Sequence, residues 1–501
     1  MRRLPGLAAA LLVLTAVGLL LHQRDAQHLA NVDDYLYSRQ TDTYWQSVTS
    51  GRIGVIDAWK LFGVNSPLVP TLAAPLAAFH RSPGTFVLVQ LPLALGLLVA
   101  TAALLRRTGA RWPWLVAPAA VLMAPTLTYT AMLSFAVAAA LCTVTTLVAY
   151  AASDRLRSRR ASALLGLSLG LLSLSRVVAL VYLVAVGLPM LVDLLLDRAD
   201  VRQRVRNLLI TLGIAFVVAA PWWLTAGPRA MRYLLDAGYG NGVFTAHRSW
   251  WQREVDRFTH TADETGWLLM LALVVAWAVG TALLVRQRDR TALVVAASVP
   301  LGLLLLGTST NAGTAFALPF EVLAVVVAAA GLRHLSGRVV LSVGAAAVAF
   351  SCAMVFTSGQ PSQWRGHQLW LSGIPARAQQ QQALGCTCAI PDLAGLNRDV
   401  YAIVRGSQTL VLRDDALVNP ESLRFLAQLD GRELPLSAPP GAALDEGQLA
   451  QAEYVLAGTT PAPYLGVDLG AAEQQLPTRG FHKVFSKRLS DASTVEVWAR
   501  G

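Results

Sequence analysis

The chain has 501 residues, of which 54% are hydrophobic and 14% charged. Soluble domains carry about 25% charged residues, so a soluble globular enzyme is excluded. The formal charge of +11 would point to nucleic acid only if the basic residues formed one solvated patch, and their distribution along the chain decides that question.

Apolar runs long enough to cross a bilayer recur from residue 4 to residue 356. They predict about eleven spans, at 4–21, 84–105, 114–130, 131–151, 161–175, 177–192, 207–224, 267–285, 291–306, 316–331 and 339–356. Two of the runs, 114–151 and 161–192, are continuous and are divided at 126–130 and 175–176. The first span follows Met1-Arg2-Arg3 and is followed by no Ala-x-Ala-like site before His22, so it reads as a retained anchor and not a cleaved leader. Alternate connections, beginning with Arg2 and Arg3, hold eighteen arginines against five aspartates, and the rest of the chain is nearly neutral. By the positive-inside rule this bias predicts a cytoplasmic N-terminus and an extracytoplasmic C-terminus. The basic balance is therefore an orientation signal, and no nucleic-acid partner is expected.

The outer side then receives loops 22–83 and 225–266 and the tail 357–501. The expected architecture is an all-α polytopic membrane domain over 1–356 and an extracytoplasmic α/β domain over 357–501, long enough for its own core. Within the tail, strands are expected at 400–404, 409–412, 454–457, 481–485 and 494–498, and helices at 421–429 and 469–476. No Gly-rich phosphate loop joins a strand to a helix there, which argues against a nucleotide site. Cys142 and Cys352 fall in spans and read as small apolar groups. Cys386 and Cys388, in Gly-Cys-Thr-Cys, read as a local disulfide or two free thiols, since a metal site needs more ligands.

The first outer loop opens with Asn31-Val32-Asp33-Asp34-Tyr35-Leu36-Tyr37. Tyr37, Tyr44 and Val48 follow at helical spacing, as in a helix lying on the bilayer surface. Two adjacent acids at a helix start commonly cap it and complement its dipole. Lys60, one of only three lysines, lies between the acidic pair and the turn Asn65-Ser66-Pro67-Leu68. Arg176 stands at the outer end of a span, where a charge needs a partner or must snorkel. Loop 225–266 sets Arg229, Arg248, Arg253 and Arg257 among Tyr239, Trp250, Trp251 and other aromatics, with Gly238, Gly240 and Gly242 as hinges. An aromatic belt or a sugar-stacking lid explains those rings equally well. Glu321, inside a span, calls for a partner such as one of the loop arginines.

A retained first span, an acidic pair directly after it, an outer loop marked by proline, ten further spans and an outer tail together resemble the GT-C membrane glycosyltransferases. Within that superfamily the chain is similar to the protein mannosyltransferases and aminoarabinose transferases, which use polyprenyl-phosphate sugars. The resemblance covers about 350 residues by architecture, and its motifs are short. Asp33-Asp34 stands at the family's acidic pair, Leu172-Ser173-Leu174-Ser175-Arg176 is similar to its Leu-x-x-Lys/Arg turn, and Pro221-Trp222-Trp223 to its Pro-Trp loop opening. Two departures are Leu133-Ser134, where an acid is frequent, and Thr310-Asn311-Ala312-Gly313, where a basic residue is frequent.

The resemblance implies an inverting glycosyltransferase acting on an acceptor hydroxyl of a glycan, glycolipid or protein. A lipid phosphate leaves without protonation, so the demand falls on a general base, Asp33 or failing it Asp34. It also falls on cations for the leaving phosphate, with Arg176, Lys60 and Arg248 as candidates, and on a substrate loop bearing Tyr239, Trp250 and Trp251. No cofactor is firmly implied, and a divalent metal is left open but not indicated. Alternatives of other classes are a transporter or flippase of lipid-linked glycans and a non-catalytic scaffold of the same architecture, although neither internal repeats nor interrupted spans are clear.

Overall fold

The computed structural model describes residues 4–26, 32–197, 199–239, 249–309, 315–356, 395–412, 420–437, 446–459, 473–489 and 494–501. Helices dominate up to residue 356. They are α1 (Leu4–Ala26), α2 (Val32–Thr49), α3 (Leu68–Ala73), α4 (Pro83–Phe86), α5 (Gln90–Arg107), α6 (Pro113–Val121), α7 (Ala124–Thr130), α8 (Ala136–Ala152), α9 (Arg159–Ser173), α10 (Ala179–Leu196), α11 (Val201–Tyr239), α12 (Trp250–Thr265), α13 (Trp267–Gln287), α14 (Arg290–Gly307), α15 (Leu318–Gly331) and α16 (Gly337–Phe356). Each of the eleven expected spans coincides with a helix or, at α6 and α7, a helix pair. Among the described residues seven helices are long and apolar enough to cross a membrane, so this is a membrane protein. The remaining expected spans fall on shorter helices, such as α15 with 14 residues.

Inside 114–151 the helices break at 122–123, just before Pro125 in the first turn of α7, and at 131–135 between α7 and α8, so the division expected at 126–130 falls within α7. The division inside 161–192 falls at the turn between α9 and α10, where Ser173 and Ser175 return their hydroxyls to the backbone. Other ends are set by side-chain caps. Ser158 accepts from Ala161 N at the start of α9, and Asp289 accepts from Ala292 N at the start of α14.

Small residues decide which helices touch most closely. A Cβ at Gly166 would meet the Thr211 carbonyl oxygen at 2.5 Å, and one at Gly170 would meet Val218. This Gly-x-x-x-Gly face of α9 therefore lets α11 approach to backbone contact, and the Thr211 hydroxyl donates to Ser162 O at 2.9 Å. Gly280 of α13 and Gly331 of α15 meet backbone to backbone in the same way. At the centre, α15 buries Phe320, Leu323, Val326 and Val327 within the common core.

Two expectations about the outer connections change. Loop 225–266 is largely helical. At 39 residues, α11 is about 58 Å long and continues far past the expected end at 224 through Pro221 and Pro228. Its extension buries Trp222, Ala226 and Ala230 beside Leu174 and Trp59. The next helix, α12, begins at a capping box, Ser249 with Gln252. The second change concerns α2, which packs against protein on more than one side. Tyr44 stacks on Phe62 of the 3₁₀ segment Asp57–Phe62 at 5.2 Å, and Tyr35 faces Phe425 of the tail at 6.1 Å.

The tail is an α/β unit with helices α17 (Leu396–Val404), α18 (Pro420–Leu429) and α19 (Glu446–Gln451). Its five strands are β1 (Thr409–Val411), β2 (Leu436–Ser437), β3 (Tyr454–Ala457), β4 (Phe481–Arg488) and β5 (Thr494–Arg500), in the order β2-β1-β3-β5-β4. β1 pairs parallel with β2 and β3, while β5 pairs antiparallel with β3 and β4. Residues alternate between two cores: Val411, Leu456, Val495 and Val497 face α17 and α18, and Leu410, Val455 and Ala457 face Leu449 and Phe481. The strand expected at 400–404 is instead the end of α17. Leu396, Val400 and Val404 recur every four residues and bury one face, so helical periodicity overrides the β-branched composition. Most of the helix expected at 469–476 lies outside the described residues, as do Cys386 and Cys388.

The tail docks on α2. Arg39 pairs with Glu421 at 2.8 Å, Asn397 donates to the Tyr35 hydroxyl at 3.2 Å, and Gln428 donates to Asp42 at 2.5 Å.

Candidate active site

Asp33 and Asp34 lie in the first turn of α2. The Asp33 side chain falls outside the described positions. Asp34 is 2% exposed, and its Oδ1 accepts from the backbone N–H of Leu133 at 2.7 Å. That bond spans the helical domain and does not merely cap α2. It uses the backbone of Leu133-Ser134, the segment in which the acidic side chain is missing. The segment is itself fixed, since Gln90 at the start of α5 donates to Met132 O and Ser134 O, each at 2.9 Å. One turn further along α2, Tyr37 sets its ring edge-on to Phe135 at 4.6 Å.

Beside this anchor is a cavity of about 160 Å3 lined by Tyr37, Ser66, Phe135, Arg176, Tyr233 and Ser309, among others. Arg176 reaches it from the turn between α9 and α10. Its guanidinium carbon lies 4.2 Å from the centroid of Phe316, and Nη1 donates to Ala315 O at 3.4 Å. Two further guanidiniums approach from α12. Arg253 donates to Thr308 O at 3.0 Å, and Arg257, 5% exposed, donates to Ser309 O at 3.4 Å. Arg176 and Arg257 both act electrostatically on the buried Tyr182 hydroxyl, which donates to Phe316 O at 3.0 Å. Of the three, Arg176 lines the cavity, while Arg253 and Arg257 hold the backbone of Thr308 and of Ser309, the latter a lining residue. Burial pushes the Glu254 carboxyl on the same helix up from its usual range, against the pull of Arg257 and Arg253.

Glu264 organises the segment that carries Ala315 and Phe316. The Tyr129 hydroxyl donates to it at 2.7 Å, Ala315 N donates to it at 3.4 Å, and His260 Nε2 lies 3.4 Å away. Ala315 has a φ of 56°, a left-handed conformation that costs a non-glycine residue energy. Its peptide neighbours are gripped from two sides, by Glu264 at the nitrogen and by Arg176 at the oxygen. The nearby Glu264 carboxylate holds the His260 imidazolium above its usual range, against desolvation. Glu321 is buried, and the neighbours that act on it are Glu264 and the Thr265 hydroxyl. The expected loop-arginine partner is therefore replaced by a second carboxyl group.

The other expected residues lie elsewhere. Lys60 is exposed on the 3₁₀ segment and does not line the cavity. Trp250 and Trp251 are exposed on the first turn of α12 and do not line it either. Tyr239 closes α11, but its side chain, like the whole of Arg248, lies outside the described residues. Among the described residues no cluster of three or more His, Cys, Asp or Glu is arranged to hold a metal. Glu264 was not singled out from sequence, and Tyr233, Arg253 and Arg257 were named only among the residues of the long loop. The four-residue spacing of those arginines behind Ser249-x-x-Gln252, a helix-start signature, was the available signal.

A helical membrane bundle with helix α2 docked to a small α/β tail is the fold these observations define. Solved structures share it. The chain is similar to ArnT from Cupriavidus metallidurans bound to undecaprenyl phosphate, with a TM-score of 0.58 and 14% identity over 99% of this chain and 98% of that one. It is also similar to ArnT from the same organism in the apo state, with a TM-score of 0.55 and 14% identity over 92% and 93% of the two chains. No protein-family model and no curated protein matches the sequence.

Proposed function

We propose that the protein is an integral-membrane glycosyltransferase that moves a sugar from a polyprenyl-phosphate donor to an acceptor hydroxyl outside the cytoplasm, with inversion. The observation that carries this reading is the cavity lined both by Arg176 and by Tyr37, which lies one turn along α2 from the Asp34 anchor. The undecaprenyl phosphate bound to one ArnT structure of similar fold supports the choice of donor. The +11 charge and its concentration in alternate connections support the outward orientation.

In the proposed reaction the acceptor oxygen forms a bond to the anomeric carbon while the bond from that carbon to the phosphate oxygen breaks. The electron pair departs on the lipid phosphate. The acceptor proton passes to a carboxylate, for which Asp33 is the candidate. Asp34, held by the Leu133 N–H, is assigned to positioning α2. Arg176, with Arg257, stabilises charge building on the leaving phosphate, and no general acid is needed. Separation into a membrane domain over 1–356 and an α/β domain over 357–501 belongs to the same reading, and so does retention of the first span as an anchor.

The test is release of polyprenyl phosphate from a radiolabelled polyprenyl-phosphate sugar by the purified protein in lipid nanodiscs. Asp33→Asn is expected to abolish release with the melting temperature unchanged. Full release by Asp33→Asn and by the Asp33→Asn/Asp34→Asn double variant would overturn the assignment.

A further inference from the structure

The opposite end of the helical domain carries a second cavity that this reaction does not use. α5 leads from Gln90, beside the Asp34 anchor, to Arg107 over 18 residues, about 27 Å of helix. The turn after it brings Arg111 and Trp112 to the far end. α15 makes the same passage, from the Phe316 end near Arg176 to Gly331, with Arg333 just beyond. A groove of about 210 Å3 lies among α6, α13, α15 and α16. Met123, Leu269, Leu273, Val325 and Val343 are among its apolar walls, and Arg111, Trp112 and Arg333 are its polar lining. Val343 is 64% exposed, so the groove opens sideways from the bundle. α6, with 9 residues, rises about 13 Å, close to half of a hydrocarbon core about 30 Å thick.

Some of the charges at this end are spent on ion pairs. Arg155 and Arg157 are paired to Asp193, Asp197 and Asp200. Neither Arg111 nor Arg333 has a carboxylate partner among the described residues, and Arg111 rests over the Trp112 ring at 5.2 Å. The Trp112 Nε1–H is buried with no hydrogen-bond partner among the described residues. An apolar slot one leaflet deep, with two cations and a ring donor at its mouth, is complementary to a molecule with one alkyl chain and one anionic headgroup.

We propose that this groove binds an acidic phospholipid of the leaflet facing Arg111, with an acyl chain along α6 and α16 and the headgroup phosphate between Arg111 and Arg333. A soluble anion would leave the apolar walls uncovered, and a zwitterionic lipid would leave excess positive charge at the mouth. The proposed sugar donor is no candidate, because its reacting carbon is required at the other end of the bundle.

Native mass spectrometry of the full chain released from nanodiscs of equal phosphatidylglycerol and phosphatidylethanolamine tests the proposal. One phosphatidylglycerol is expected to remain per chain. Arg111→Ala/Arg333→Ala lowers its retention about thirtyfold. Ala329→Phe, which fills the groove without altering charge, displaces it as well. Arg286→Ala/Arg288→Ala, at the same end but outside the groove, leaves retention unchanged. Unchanged retention in the Arg111/Arg333 variant, equal loss in the Arg286/Arg288 variant, or retention of polyprenyl phosphate in place of phosphatidylglycerol overturns the proposal.

Discussion

The two ends of the helical domain use arginine in different ways. At the end away from α2, Arg155 meets Asp193 at 2.9 Å, Arg157 meets Asp197 at 2.7 Å and Asp200 at 2.9 Å, and Arg204 donates to the carbonyls that close α10. These pairs tie helix ends together, and most of their charge is consumed locally. At the α2 end, the described contacts of Arg176, Arg253 and Arg257 run to the carbonyls of Ala315, Thr308 and Ser309 and to the Phe316 ring. Carbonyls and a ring hold these guanidiniums in place. At one end the arginines named are tied to carboxylates, and at the other to backbone oxygens and a ring.

Substitutions separate these roles, and the largest effect is expected on chemistry. Arg176→Ala should lower release of polyprenyl phosphate about a hundredfold to a thousandfold, the usual loss on removing one group that stabilises developing charge. Its melting temperature should stay near that of the parent, and single-turnover release assays check both. At the other end the order reverses. Asp193 is 4% exposed and accepts from Tyr150 at 2.7 Å, so Asp193→Ala leaves Arg155 without its partner. It should cost about 3 kcal/mol by thermal unfolding while the folded fraction retains its turnover. A large loss of turnover per folded molecule in that variant would erase the distinction between the ends.

Smaller effects sharpen the comparison at α2. Arg81 clasps the buried Asp42 through two bonds of 2.6 Å, with Gln46 and Gln428 sharing the carboxylate. Arg81→Ala should cost about 2 kcal/mol and loosen the tail, read as faster proteolysis within residues 395–501. The smallest expected effect is a pH dependence. Because Glu264 raises the folded-state pKa of His260, this pair contributes stability that is fully present below the unfolded imidazole value and is lost as pH rises through the folded one. With His260 partly exposed the contribution is on the order of 0.5 kcal/mol. It should vanish in His260→Gln, with melting curves from pH 5 to pH 9 as the measurement.

The span pattern, the acidic pair and the placement of Arg176 at a span end were legible because they depend on local composition. An apolar run of spanning length has little choice but a helix, and an arginine at its end is conspicuous against that background. The β3, β4 and β5 strands and α18 were legible from the same local periodicity. The 400–404 segment was misread because Val400, Ile403 and Val404 favour strands by composition, while Leu396, which completes the helical face, lies four residues upstream. The course of 225–266 was hidden because α11 runs past its apolar portion, where packing of Trp222, Ala226 and Ala230 sustains the helix.

By itself the sequence determined that the protein belongs in a membrane, which connections carry the positive charge, and which acids and arginines are chemically conspicuous. Those properties follow from transfer free energies and helical period, which each segment carries alone. Only the tertiary structure decided that Asp34 is spent on the Leu133 N–H, that Arg257 and Glu264 belong beside Arg176, and that Lys60, Trp250 and Trp251 stand outside the cavity. It also decided that Arg111 and Arg333 share one groove. Each of these depends on residues tens to hundreds of positions apart, brought together by close approaches such as Gly166 on Thr211 and Gly280 on Gly331. Contacts of that separation arise from the packing of whole helices and have no local signature in the chain.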